Sequence, residues 1–243
     1  MIKRILPFIL FISPFSLSAK NLPPVIDLNS YPSVEDGYLD QGHYSQYSQD
    51  AFDVGVYAFN YAPELTPLFA SLKKNYQIDA VVETGTFYGA STAIFSLLFD
   101  EVHTIEVLPS TFAIALENLK GYPNVHCHLG HSAPTLLTVL ELLKKKRVLF
   151  YLDAHWYDDF PLLQEITSIS RTHRDNCIIV IDDFKVPDRD DIDYDKYPSG
   201  QCSLEYIENS LRRLFSDYSV HFIIPKNKKS RAKVIILPKR WDS

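Results

Sequence analysis

From residue 78 onward, short apolar runs alternate with longer segments in which apolar residues recur at helical spacing. The runs 78–82, 102–107, 125–129, 148–152 and 178–181 predict strands, and the segments 90–99, 109–120, 133–145 and 161–173 predict amphipathic helices. Several of the strands are apolar on consecutive positions, not alternate ones. Both of their faces must then be covered, as in a parallel sheet sandwiched by helices. Right-handed crossovers turn this order into an open, doubly wound α/β sheet. A polar loop over 187–201 leads into a predicted helix at 203–215. Two last runs, 219–224 and 232–237, flank a Lys-rich turn at 227–229 and predict a closing antiparallel hairpin.

Upstream the pattern loosens. Residues 51–76 keep helical spacing but are interrupted near Pro63 and Pro67, which predicts two short helices. Residues 20–50 form a Tyr-, Asp- and Ser-rich arm punctuated by Pro23-Pro24, Pro32 and Gly37. At the start, Lys3 and Arg4 precede a nearly all-apolar stretch, 5–17, and small residues at Ser16–Ala19. That is the layout of a secretory signal peptide over 1–19, too short to span a bilayer comfortably. It predicts an exported or periplasmic protein if the segment is cleaved. The alternative is an uncleaved membrane-proximal anchor or a buried first helix, hence a membrane-associated or cytoplasmic protein. Pro7 and Pro14 weigh against the helix. The expected organisation is a signal segment at 1–19, an arm with helices at 20–76, and a ligand-binding domain at 77–243.

Composition narrows the reading. A chain of 243 residues, 46% of them hydrophobic, suits one large α/β domain with an extra arm and excludes wholesale disorder. A net charge of −6 argues against nucleic acid as a partner, since phosphate binding needs a basic face. Three cysteines without a C-x-x-C pair provide neither a zinc nor a disulfide framework, and Cys127 and Cys177, within strands, read as buried free thiols.

The first strand runs into Glu83-Thr84-Gly85-Thr86-Phe87-Tyr88-Gly89-Ala90-Ser91, and a helix follows. Gly85 and Gly89 allow a tight turn and close approach to a ligand, and the helix start offers free N–H groups. Glu83 can take an ammonium or ribose group. Glu106, at the second strand's end, can accept ribose hydroxyls. Together these predict a nucleotide-cofactor site. Thr86, standing where a dinucleotide motif has its second glycine, disfavours NAD. The nine residues resemble the E-x-G-x-x-x-G-x-S motif of class I S-adenosylmethionine-dependent methyltransferases, nearest the catechol and caffeoyl-CoA O-methyltransferase type. The resemblance extends over roughly residues 78–237. It implies a Rossmann-like methyltransferase fold with a mostly parallel seven-stranded sheet, and S-adenosylmethionine as cofactor. Gly85, Phe87 and Ser91 would line its methionine part, Glu106 its ribose and Ser132, after the third strand, its adenine. Glu83, Thr86, Gly89 and Asp153 complete the expected cofactor set.

Asp153 ends the fourth strand and Asp182-Asp183 the fifth. Neighbouring strand tips lie roughly 5 Å apart, so the three acids can converge at the carboxyl edge of the sheet. Grouped carboxylates repel unless a cation joins them, and oxygen-only ligands favour Mg²⁺ or Ca²⁺. Otherwise they cap the following turns. In the resembled family such acids bind a divalent metal, which implies Asp153, Asp182 and Asp183 as ligands. That family also places a lysine after the first metal acid as proton acceptor, whereas this chain has Trp156. His155 is the nearest substitute. It reads equally as an outer partner of an Asp or as packing beside the cofactor, so Asp153 and His155 are the candidate catalytic pair.

The remaining signals are weaker. The acidic loop 188–197 reads as a substrate lid or as a solvated surface. The tyrosines at 31, 38, 44 and 47 could close over an aromatic substrate or merely pack the arm. Lys226, Lys228, Lys229 and Arg231 read as a solvated hairpin tip. The expected function is metal-assisted O-methylation of a small hydroxylated substrate, with a homodimer possible by resemblance. The alternatives are a metal-dependent hydrolase or hydroxylase on the same scaffold, and an exported, non-catalytic binding module.

Overall fold

The computed structural model describes residues 53–155 and 158–242. The expected signal segment, the arm over 20–50 and Trp156 lie outside the described residues.

Among the described residues, seven strands form one sheet, in the order β3 (Val125–Leu129), β2 (Val102–Glu106), β1 (Ala80–Thr84), β4 (Val148–Leu152), β5 (Cys177–Ile181), β9 (Lys233–Pro238) and β8 (Tyr218–Ile223). β1, β2, β3, β4 and β5 pair in parallel. The last two, β8 and β9, form the antiparallel hairpin, and β9 adds antiparallel to β5. The doubly wound expectation is met, including the closing hairpin. Strand order reverses at β1, whose neighbours are β2 and β4. The loops leaving β1 and β4 diverge there to opposite faces and open a crevice at the carboxyl ends.

Both faces are dry. Toward one, Val81, Leu149, Tyr151, Ile178 and Val180 pack under α1 (Val54–Tyr61), α2 (Thr66–Tyr76), α3 (Ala90–Leu98) and α4 (Pro109–Leu119). Toward the other, Val82, Phe150, Leu152, Ile179 and Ile181 pack under α5 (Ser132–Leu143), α6 (Leu162–Ser170) and α7 (Leu204–Leu214). The consecutive apolar positions of β4 and β5 are therefore shared alternately between two cores. Pro67 does not break α2; it sits in the first turn, where a missing N–H costs nothing. Cys177 is buried, but Cys127 is only partly so, because β3 is the sheet edge. The loop after β5 carries a two-stranded ribbon, β6 (Lys196–Tyr197) with β7 (Gly200–Gln201). No helix among the described residues is long and apolar enough to cross a membrane.

α1 ends irregularly. Ala58 leaves helical geometry, and Phe59, Asn60 and Tyr61 follow with φ of 53°, 53° and 65°. Left-handed backbone costs a non-glycine residue about 1–2 kcal/mol, so three in a row need external restraint. Phe59 supplies it. Its ring packs among Phe69, Phe95 and Tyr151, and its N–H donates to Ser91 Oγ at 2.8 Å. The kink delivers Asn60 to the carboxyl end of the sheet.

Candidate active site

A cavity of about 570 Å³ opens at the switch point, lined by the tips of β1, β2, β3 and β4. That volume is typical of a small-molecule site.

The β1 turn forms its floor. Gly85 has φ of +85°, and a Cβ there would lie 2.7 Å from the Asp153 carbonyl oxygen. Only a glycine lets the turn close against the β4 tip. Gly89, with φ of +90°, makes the second bend, where a Cβ would meet Leu119. Phe87 stands at the mouth, 61% exposed, its ring stacked on Tyr88. Glu106 is buried at the β2 tip, where Oε2 accepts from the Phe87 N–H and Oε1 from the Leu108 N–H, each at 2.9 Å. A carboxylate held by one donor per oxygen keeps lone pairs for further hydroxyls. Ser132, at the start of α5, lines the opposite wall beside the buried Glu165 carboxyl, which desolvation pushes up to about 7. His131 and Asp159 face each other across the lip at 3.4 Å.

Gly85, Phe87, Glu106, Ser132, Asp153 and His155 thus gather around one cavity. Four other expected residues act from behind it. Glu83 does not reach the cavity: its carboxylate is buried and accepts from the hydroxyls of Thr92 and Thr104, the latter at 2.7 Å. Burial pushes it up to about 7 against those two bonds. Thr86 pairs with Thr104 at 2.6 Å. Ser91 holds the α1 kink, and Gly89 shapes the turn without lining the wall. Glu83 belongs to β1, which is buried on both faces, and Thr86, Gly89 and Ser91 brace the loop and helix that follow.

The acids converge, but on partners of their own. Asn60 Nδ2 lies 3.0 Å from both Asp153 Oδ2 and Asp182 Oδ2, bridging them. Asp182 Oδ2 also accepts from the Tyr151 hydroxyl. Asp182 Oδ1 accepts from the Asp183 N–H at 2.7 Å and pairs with Lys233 Nζ at 2.6 Å. Asp183 pairs with Arg231 at 3.2 Å, and Arg231 also holds Asp195 and Asp193. Burial, followed by the charges of Asp182 and Asp183, pushes Asp153 well above the usual carboxylate range. Asp183 is pushed up to about 7, mainly by burial and then by Asp182. This donor set does not fit a divalent ion as arranged. Both oxygens of Asp182 are taken, and an amide nitrogen sits at the point where a cation would bridge it to Asp153. Two protein cations already stand among the acids, Lys233 on Asp182 and Arg231 on Asp183.

Arg231 is accordingly no solvated hairpin tip, though Lys226, Lys228 and Lys229 are exposed. The acidic loop folds back on the cluster: the Asp195 N–H donates to the Asp183 carbonyl, and Asp195 Oδ2 accepts from Tyr197 Oη. His155 is exposed at the cavity edge with Nε2 3.8 Å from Asp195 Oδ2. Asn60, Tyr151, Lys233 and Arg231 were not legible as site residues. Only the register, with Ile181 opposite Val234, sets Asp182 against Lys233.

Solved structures share this architecture. The O-methyltransferase TomG from Streptomyces achromogenes, involved in tomaymycin synthesis and solved in complex with SAM, matches with a TM-score of 0.56 at 19% identity, over 74% of this chain and 82% of its own. An O-methyltransferase from Bacillus cereus in complex with SAH matches at 0.53 and 15% identity, over 86% and 98%. A putative caffeoyl-CoA O-methyltransferase from Staphylococcus aureus matches at 0.51 and 15% identity, over 87% and 100%. No protein-family model and no curated protein matches the chain. At such identities the likeness is one of fold: the chain has the Rossmann-like fold of these O-methyltransferases.

Proposed function

We propose that the chain transfers the methyl group of S-adenosylmethionine to a hydroxyl of a small molecule. One observation carries this: the Gly85 turn, the Glu106 carboxylate, Ser132 and the Asp153–His155 tip share a single cavity. The cofactor, when bound, supplies an activated methyl on a sulfonium. Glu106 would accept from the ribose hydroxyls, the turn at Gly85 and Phe87 would face the methionine part, and Ser132 would face the adenine. Asn60, Asp153 and His155 would border the acceptor. His155 would take the proton that the acceptor hydroxyl releases as its oxygen acquires the methyl and the carbon–sulfur bond breaks. Much of the acceleration would come from holding the two reactants in line.

Magnesium assistance is not included, because Lys233, Arg231 and Asn60 fill the role that a metal would have among the acids. Calorimetry with S-adenosylhomocysteine is expected to show one site per chain, with the same affinity in Mg²⁺ and in excess EDTA. Absence of binding in both buffers would sink the reading, and binding only with Mg²⁺ would restore the metal. Screened against hydroxylated small molecules, His155→Ala is expected to lose about 10²–10⁴-fold in kcat, the usual worth of a general base, with cofactor affinity kept. An unchanged kcat would remove His155 from the proton's path.

A further inference from the structure

A second cluster lies at the other end of the strands, and none of its residues lines the cavity. Glu101 precedes β2, and His103 follows two residues later, so both project to one face. The parallel register sets His126 of β3 directly opposite His103. One carboxylate oxygen of Glu101 and one ring nitrogen from each of His103 and His126 lie within 4.8 Å of one another. His103 Nε2 is 3.1 Å from Glu101 Oε1, a separation that two ligands of one ion can share.

We propose that Glu101, His103 and His126 form a binding site for a first-row transition-metal ion such as Zn²⁺. Two imidazoles and a carboxylate suit zinc, nickel or copper and do not suit Mg²⁺ or Ca²⁺. Three protein ligands leave a position for water. Metal-bound imidazoles have their outer nitrogen held by a second group, and His103 has that partner: its Nδ1 lies 2.9 Å from His128 Nε2. His103 is buried and fixed between these contacts, while His126 is exposed on the edge strand and gives the ion its route in. The ion pair of Lys146 with Glu101 Oε2 leaves Oε1 toward the histidines. A bound ion would tie the edge strand β3 to β2.

The test uses untagged, full-length protein. Titration with Zn²⁺ against a chromogenic chelator is expected to show one ion per chain. His126→Ala, a change at an exposed position, is expected to weaken binding by at least ~10-fold, the lower bound for losing even an outer partner of a metal ligand. The complex with one equivalent of Cu²⁺ is expected to show hyperfine coupling to two nitrogens by electron paramagnetic resonance. A spectrum without nitrogen coupling would place the ion on carboxylates such as Asp153 and overturn the proposal. So would a zinc affinity that His126→Ala leaves unchanged, or no competition with the chelator. None of these readouts depends on methyl transfer, so this site and the proposed activity fail separately.

Discussion

Lys233→Met is expected to lower stability by about 3–5 kcal/mol, the usual cost of stripping the partner from a buried charge. Lys233 is 0% exposed and reaches Asp182 Oδ1 at 2.6 Å. Its remaining contacts are Ser230 Oγ at 3.1 Å and the Arg231 carbonyl at 3.4 Å. Methionine nearly preserves the volume and deletes only the cation. Asp182 would keep three donors, from Asn60, Tyr151 and the Asp183 N–H, but no charge within the core would oppose its own. For a domain of this size the loss corresponds to a fall of roughly 6–20 °C in Tm. Adding Asp182→Asn to Lys233→Met is expected to recover most of it, since the buried charge is gone. Thermal denaturation of the parent, both singles and the double completes the cycle. A Tm for Lys233→Met within ~2 °C of the parent would show that Asp182 does not depend on this lysine, as would a double variant whose losses simply add.

Gly85→Ala is expected to weaken S-adenosylhomocysteine binding by about 100-fold, near 2.7 kcal/mol. Two costs combine. A side chain at φ of +85° is strained by roughly 1–2 kcal/mol. Its Cβ would also stand 2.7 Å from the Asp153 carbonyl oxygen, a backbone atom with no rotamer to retreat into. The turn must then lift from the β4 tip and carry the Phe87 N–H away from Glu106, a bond to a charged acceptor worth roughly 1.5–3 kcal/mol. Gly89→Ala is the internal control. It shares the strain, but the obstacle is the flexible Leu119 side chain, so its effect should fall on stability more than on affinity. Equal losses of affinity in the two variants, or none at Gly85, would contradict this account.

The sheet was readable because its strands announce themselves locally. Residues 125–129 and 148–152 coincide with β3 and β4, and 102–107 exceeds β2 by one residue. Each is a short segment rich in apolar and β-branched residues between glycine, proline and charged punctuation, and parallel pairing follows from the helices between them. The cavity residues were legible for the same reason: Gly85, Glu106, Ser132 and Asp153 sit at or just beyond strand ends. Glu83 is less legible, because a strand-tip acid has the same appearance in sequence whether it faces ligand or core. Only the hydroxyls of Thr92 and Thr104, nine and twenty-one residues away, decide that it faces inward. For the acid cluster, one stretch of chain shows only the acids and not what they pair with. Its partners, the Asn60 amide and the cations Arg231 and Lys233, are brought in by a helix kink and an antiparallel register that no local period encodes.

The three left-handed residues at the end of α1 make the two halves of the cavity unlike in kind. The wall at Gly85, Glu106 and Asp153 is architecture: strand tips that cannot move unless the sheet moves. The Asn60 wall is an attachment, a peptide peg seated by the Phe59 ring, its bond to Ser91 and the Asn60 amide on Asp153 and Asp182. An attachment can be exchanged without redesigning the building. On the proposed reading, variation at Asn60 retunes which acceptor is admitted while the nucleotide end stays constant, so that one scaffold serves many acceptors by altering a single short segment.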